Sequence, residues 1–198
     1  MVELGIDLGR FSSEQAVRAH DGAAPVIGTV ARLAQQKGLD VLIDAFPAVV
    51  SEWPQASLVI CGEGEERAAL EARAARLGIA DRVRFLGERS DVPSVLADLD
   101  VFVLPSRFEG LCLAVIEAQA AGVPVIATPV GGIQETVIPG ETGTLVPVDD
   151  AAAVTRAILT TLADPQRARV LAAEARRRVN ERFAVGRMVA ETIALYRR

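Results

Sequence analysis

The chain reads as apolar runs of strand length, separated by longer stretches in which apolar residues recur every three to four positions. Runs such as VIGTV at 26–30, LVIC at 58–61 and VFVL at 101–104 lack polar alternation, the pattern of strands covered on both faces. On this basis strands are expected at 25–31, 57–61, 83–86, 99–104, 124–127 and 144–146. Leu39, Leu42, Ile43, Phe46, Val49 and Val50 share one face of a helix opened by Lys37-Gly38. Pro47 falls inside that pattern and is expected to kink or shorten the helix, because it has no N–H and crowds the preceding turn. Further helices are expected at 65–77, 91–98, 111–121 and 131–137, then from a capping Asp149 or Asp150 to about 162, from Asp164-Pro165 onward, and at 186–196. Six strands alternating with helices make an α/β chain with one doubly wound parallel sheet.

Composition agrees with that architecture. The 198 residues suffice for one domain, and 51% hydrophobic with only 4% aromatic content describes an aliphatic core. A net charge of −5 argues against nucleic acid as a partner. The apolar runs are strand-sized, too short to span a membrane. Cys61 and Cys112 sit in apolar surroundings and read as reduced core residues of a cytoplasmic protein. The single histidine, His20, leaves no His-rich metal site within the chain.

The chemistry concentrates in PSRFEGLCLAVIEAQAAGVPVIATP, residues 105–129. A buried strand is followed by a loop containing Gly110, then by a helix, then by the next strand. Such a loop sits at the carboxyl edge of the sheet, where open α/β folds bind ligands, and free amides there suit a phosphate. Glu109 stands in the loop and Glu117 in the helix, spaced E-x7-E. Arg32 and Lys37 follow the first strand and bring a planar fork and a point charge to the same edge. Two other patterns are set aside. Asp98-Leu99-Asp100 matches a metal-binding D-x-D but enters a strand rather than leaving one, so no metal is expected. Gly62-Glu63-Gly64 gives only part of G-x-G-x2-G and does not follow the first strand, which argues against an NAD fingerprint.

The 105–129 string resembles the donor-site signature of retaining glycosyltransferases of the GT-B fold, group 1 or family 4 type. The resemblance covers nearly the whole chain and implies the carboxyl-terminal, donor-nucleotide-binding half of that fold, a single Rossmann-like sheet. It implies that Arg32 and Lys37 stabilise a nucleoside-diphosphate leaving group and that Glu109 contacts the donor sugar beside its reacting carbon. By the same likeness the Gly110, Leu111 and Cys112 amides approach phosphate or sugar, and Glu117 accepts from the ribose hydroxyls. VRFLGE at 83–88 resembles the segment near the nucleobase, where groups around Leu86 and Arg89 would read the base; a plain strand end and turn explains it equally well. Gly131-Gly132 and Glu135 resemble a segment that lines the cleft, although helix capping accounts for them almost as well.

VELGIDLGRF, at 2–11, resembles the family's passage between its two Rossmann halves. The expected organisation is therefore an interdomain-like segment at 1–24, the nucleotide-sugar-binding domain at 25–185, and a helix at 186–198 that in the family crosses to the amino-terminal domain. That first half, absent here, would supply the acceptor site and any peripheral membrane association. The resemblance implies a nucleoside-diphosphate sugar donor built on UDP, GDP or ADP; no cofactor is expected, and little transfer is expected from this chain alone. A non-catalytic module holding a nucleotide sugar or a partner chain is the alternative. A nucleotide-sugar epimerase would need more acid/base carboxylates and histidines than the motif region holds.

Overall fold

A strand buried on both faces needs partners on its edges and helices over its faces, and the apolar runs are placed accordingly. The computed structural model describes residues 7–11 and 24–196. Strands β1 (Val26–Val30), β2 (Ser57–Cys61), β3 (Val83–Gly87), β4 (Val101–Leu104), β5 (Val125–Ala127) and β6 (Thr144–Leu145) form one six-stranded sheet in the order β3-β2-β1-β4-β5-β6. Every pairing is parallel. This is a Rossmann-like α/β sheet, and its strand order reverses between β1 and β4.

The helices are α1 (Leu39–Glu52), α2 (Arg67–Arg76), α3 (Val92–Ala97), α4 (Leu113–Ala120), α5 (Ile133–Thr136), α6 (Ala151–Ala163), α7 (Pro165–Arg182) and α8 (Val185–Tyr196). α1 packs beside α6 and α2, and α4 beside α7. The core is aliphatic, and all four residues of β4 are buried. Asp98 and Asp100 lie at the amino edge of the sheet, where the Asp100 carboxylate accepts the Val26 N–H at 2.7 Å.

Several boundaries differ from the sequence reading, each for a local reason. Gln35–Lys37 forms a 3-10 turn, and α1 begins only after Gly38. Gly38 has φ 63°, and a Cβ there would lie 2.1 Å from the Pro105 carbonyl oxygen, so only glycine fits. Pro47 neither breaks nor shortens α1, which runs through it to Glu52. Leu42, Ile43, Ala45, Phe46 and Val49 are buried around it, and Thr155 of α6 donates to the Ala45 carbonyl at 3.0 Å. That packing offsets the roughly 3 kcal/mol a helical proline costs. α4 starts at Leu113 because Cys112 takes a left-handed conformation, φ 57°.

Asp150 is the residue that caps α6, accepting the Ala153 N–H at 2.8 Å, while Asp149 turns away with φ 58°. The interdomain-like segment expected at 1–24 lies outside the described residues except for 7–11 and 24, and so does His20. The 3-10 turn Leu8–Phe11 packs against α4, with Phe11 buried. On α8, Val189, Ile193, Leu195 and Tyr196 are exposed and Met188 is half-buried. Among the described residues no helix is long and apolar enough to cross a membrane.

α7 follows α6 after a single residue, Asp164, whose side chain accepts the Arg167 N–H at 3.0 Å. Asp164→Ala is expected to lower unfolding stability by about 1 kcal/mol, read from urea denaturation. An unchanged midpoint would show that Pro165 alone sets the start of α7.

Candidate active site

Two loops leave the carboxyl edge at the reversal of strand order, one after β1 and one after β4, and they meet through a buried ion pair. The Lys37 ammonium lies 2.7 Å from Glu109 Oε1, with only 16% and 6% of the two side chains exposed. Ser106 Oγ donates to the same Oε1 at 2.6 Å, and Thr128 after β5 donates to the Ser106 carbonyl. The Lys37 and Ser106 bonds both fall on Oε1, and the Cys112 thiol also bonds the Glu109 carboxylate. Breaking such a pair by deleting one partner costs about 3–5 kcal/mol, because it strands the other charge out of water.

The Glu109 loop is braced from behind. Gly132 N–H donates to the Gly110 carbonyl at 2.7 Å. Gly131 has φ 52°, and a Cβ there would lie 2.0 Å from the Glu109 carbonyl oxygen. The glycine pair therefore supports the loop in addition to opening α5. Glu135 turns instead toward α7, accepting from Arg182 at 2.8 Å. Gly110 is exposed, with open space where a Cβ would stand, and Leu111 is half-buried. Cys112 is buried at the cap of α4, where burial first and the Glu109 charge second push its thiol up to about 12.

Glu117 lies two turns along α4 and is half-buried. Burial raises its carboxyl above the ordinary value, and the Arg10 charge on the Leu8–Phe11 turn partly opposes this. Arg32 stands apart from Lys37, with 71% of its side chain exposed and Glu65 3.1 Å away. An exposed pair of this kind is worth about 0–1 kcal/mol, so Arg32 can leave it for a ligand at little cost. A cavity of about 510 Å³ opens over the ends of β1, β2 and β3, lined among others by Arg32, Glu63, Glu88 and Arg89. The Arg89 guanidinium reaches Asp91 with Nε at 2.7 Å and Nη2 at 2.6 Å. Leu86 instead lines a groove of about 280 Å³ with Val59, Ser94 and Val95, which Arg89 also borders.

Of the expected site residues, the structure thus joins Lys37 to Glu109, sets Gly110, Leu111 and Cys112 directly after them, and places Arg32 and Arg89 on the adjoining cavity. Leu86 is not brought to that cavity. Sequence reading passed over Ser106, Arg107 and the bracing role of Gly131. It also passed over a plain signal: of the 21 Lys and Arg residues, Lys37 is the only lysine. A chain that uses arginine everywhere else keeps an ammonium where a compact charge with three donors must fit between two loops.

The family model described as "Glycosyl transferases group 1" matches residues 11–178. The chain is 33% identical over 205 residues to the lipopolysaccharide core biosynthesis mannosyltransferase LpsB of Rhizobium meliloti, covering 97% of this chain and 58% of that protein. It is 38% identical over 179 residues to the GDP-mannose-dependent alpha-(1-6)-phosphatidylinositol monomannoside mannosyltransferase of Mycolicibacterium smegmatis, covering 83% and 47%. The crystal structure of sucrose-phosphate synthase from Thermosynechococcus elongatus superposes with a TM-score of 0.89 at 35% identity, covering 99% of this chain and 51% of that one. The chain therefore spans about half the length of the relatives it matches.

Two outcomes test the electrostatics. With its thiol at about 12, only roughly one Cys112 in ten thousand is thiolate at pH 8, so iodoacetamide should leave it unmodified until the chain unfolds. Rapid alkylation of the folded chain at Cys112, read by peptide mass spectrometry, would contradict that burial. For Glu117, a raised carboxyl favours folding while it is protonated and disfavours it as pH rises and the buried group ionises. Glu117→Gln should therefore melt above the wild type at pH 7, and the gap should close below about pH 4. A gap independent of pH would mean that packing, not ionisation, separates the two.

Proposed function

Because this chain belongs to the group 1 glycosyltransferases and has the Rossmann-like fold of the carboxyl-terminal domain of a GT-B enzyme, we propose that its cleft binds the nucleoside-diphosphate sugar of a retaining hexosyl transfer. The observation that carries this reading is the Lys37–Glu109 pair at the strand-order reversal. An ammonium has three donors, and Glu109 takes one, so two remain for phosphate oxygens. As the bond to the sugar breaks, charge develops on the leaving diphosphate, and a cation already fixed in place stabilises it without reorganisation. Arg32 adds a second, forked contact once it leaves Glu65, and the amides at Gly110 to Cys112 complete the cradle.

Glu109 plays a double part in this reading. Oε1 holds Lys37 and Ser106, while Oε2 accepts from a hydroxyl of the donor sugar. Glu117 offers two oxygens to the vicinal diol of the ribose. The cavity beside Arg32 and Arg89 receives the base. The relative from Mycolicibacterium smegmatis is named for GDP-mannose, which makes GDP the first nucleotide to try. The acceptor site belongs to an amino-terminal Rossmann half outside this sequence, onto which α8 with its exposed Val189 and Ile193 crosses. Alone, the chain holds the donor and transfers little.

Calorimetric titration with GDP, UDP and ADP, without metal, tests the reading. One nucleotide should saturate at a single site, and both Arg32→Ala/Lys37→Ala and Glu117→Ala should weaken it by at least about tenfold, 1.4 kcal/mol. Binding of none of the three by the folded chain, or equal binding by the variants, would remove the basis for assigning these residues to the donor.

A further inference from the structure

Arg107 stands between Ser106 and Glu109 but lies outside the donor cradle. Its backbone N–H donates to the Gln36 carbonyl at 2.8 Å. Its guanidinium donates to the Gln35 carbonyl at 2.7 Å, to both oxygens of Asp40 at 2.9 and 2.8 Å, and to Asp149 at 2.7 Å. One side chain thus ties the loop after β4 to the loop after β1, to the first turn of α1, and to the left-handed residue before α6. The bidentate grip on Asp40 needs a planar fork, which lysine lacks. With Asp40 and Asp149 as partners the cluster carries no surplus positive charge, and four of the five guanidinium N–H groups are already engaged. Arg107 is therefore poorly placed to hold a phosphate itself.

Its position suggests what it does instead. Gln36 immediately precedes Lys37, and Arg107 precedes Glu109 by two residues. The Arg107 bonds and the Lys37–Glu109 pair close one small circuit between the two loops, and Gly38 against Pro105 tightens it. A free lysine side chain carries about 2 kcal/mol of rotamer entropy, so an ammonium kept at one point needs its backbone fixed. We propose that Arg107 is a positioning residue, which locks the β1 loop against the β4 loop and so holds the Lys37 ammonium on Glu109. The functional weight of this proposal rests on the donor-site reading, but the placement of Lys37 can be measured without any nucleotide.

Because Lys37 is the only lysine, labelling with [ε-13C]lysine yields one Cε resonance in the whole chain. In the wild type its two ε protons should give separate signals, since the ammonium is held on one side. In Arg107→Ala, and in Asp40→Asn, those signals should merge as in a mobile side chain. Ile158→Ala, a buried truncation in α6, should lose stability yet keep them separate. Separate signals in a folded Arg107→Ala chain overturn the proposal; should that variant fail to fold, separate signals in Asp40→Asn overturn it equally. In parallel, Arg107→Ala should weaken GDP about tenfold, while Lys37→Ala/Arg107→Ala should bind no worse than Lys37→Ala alone. Additive losses would mean Arg107 acts independently of Lys37, against the proposal. If the wild type binds no nucleotide, the donor reading fails, and the lysine signals still decide the role of Arg107.

Discussion

β1 is paired on both edges, with β2 on one side and β4 on the other, and all three strands run parallel. Parallel neighbours cannot be joined by a tight turn, so each strand hands the chain to a crossover. The crossovers from β1 and β4 head to opposite sides of the sheet order, and a crevice opens where they part. The candidate site lies at that crevice. It sets Lys37 and Glu109 at its mouth on different loops, and it leaves the amides after Glu109 uncommitted to helix.

A charge pair withdrawn from water is not cheap, and a core of this size could do without one. Here the surroundings are arranged to keep it. Ser106 satisfies the carboxylate, Gly131 and Gly132 back the loop that carries it, and Gly38 lets the opposite loop approach to contact distance. The two loops are thus organised by contacts within the chain, and the Lys37 ammonium is fixed at folding. Arg32, by contrast, is left on the surface in a weak pair, available to move.

The strands were the most legible part of the sequence. β2 matches its expected limits, and the others differ by a residue or two, because unbroken apolar runs leave a parallel sheet few alternatives. Helix starts were read less well. Nothing in composition announces that Cys112 adopts a left-handed conformation, which shifts α4 by two residues, and the local rule for Pro47 was outvoted by the packing of its neighbours. Arg32, Lys37 and the E-x7-E string were legible as candidates, since those residues repeat a known pattern, and the structure pairs Lys37 with Glu109. Which side chain touches which was not. Ser106, Arg107 and Gly131 act across gaps of up to some seventy residues, as in the Arg107–Asp40 bonds, and only the folded loops reveal them. The solitary lysine was present in the sequence all along, and it needed only the comparison of lysine with arginine usage to be seen.

The contact between Gly131 and the Glu109 carbonyl has a mechanical side. With no room for even a methyl group between them, and with a hydrogen bond from Gly132 alongside, the loops after β4 and β5 behave as one stiff lip of the cleft. A push on Glu109 is passed to α5, whose Glu135 is in turn tethered to α7 by Arg182. A displacement of Glu109 would accordingly spread along that lip toward the carboxyl-terminal helices, and through Arg107 and Lys37 into the loop after β1.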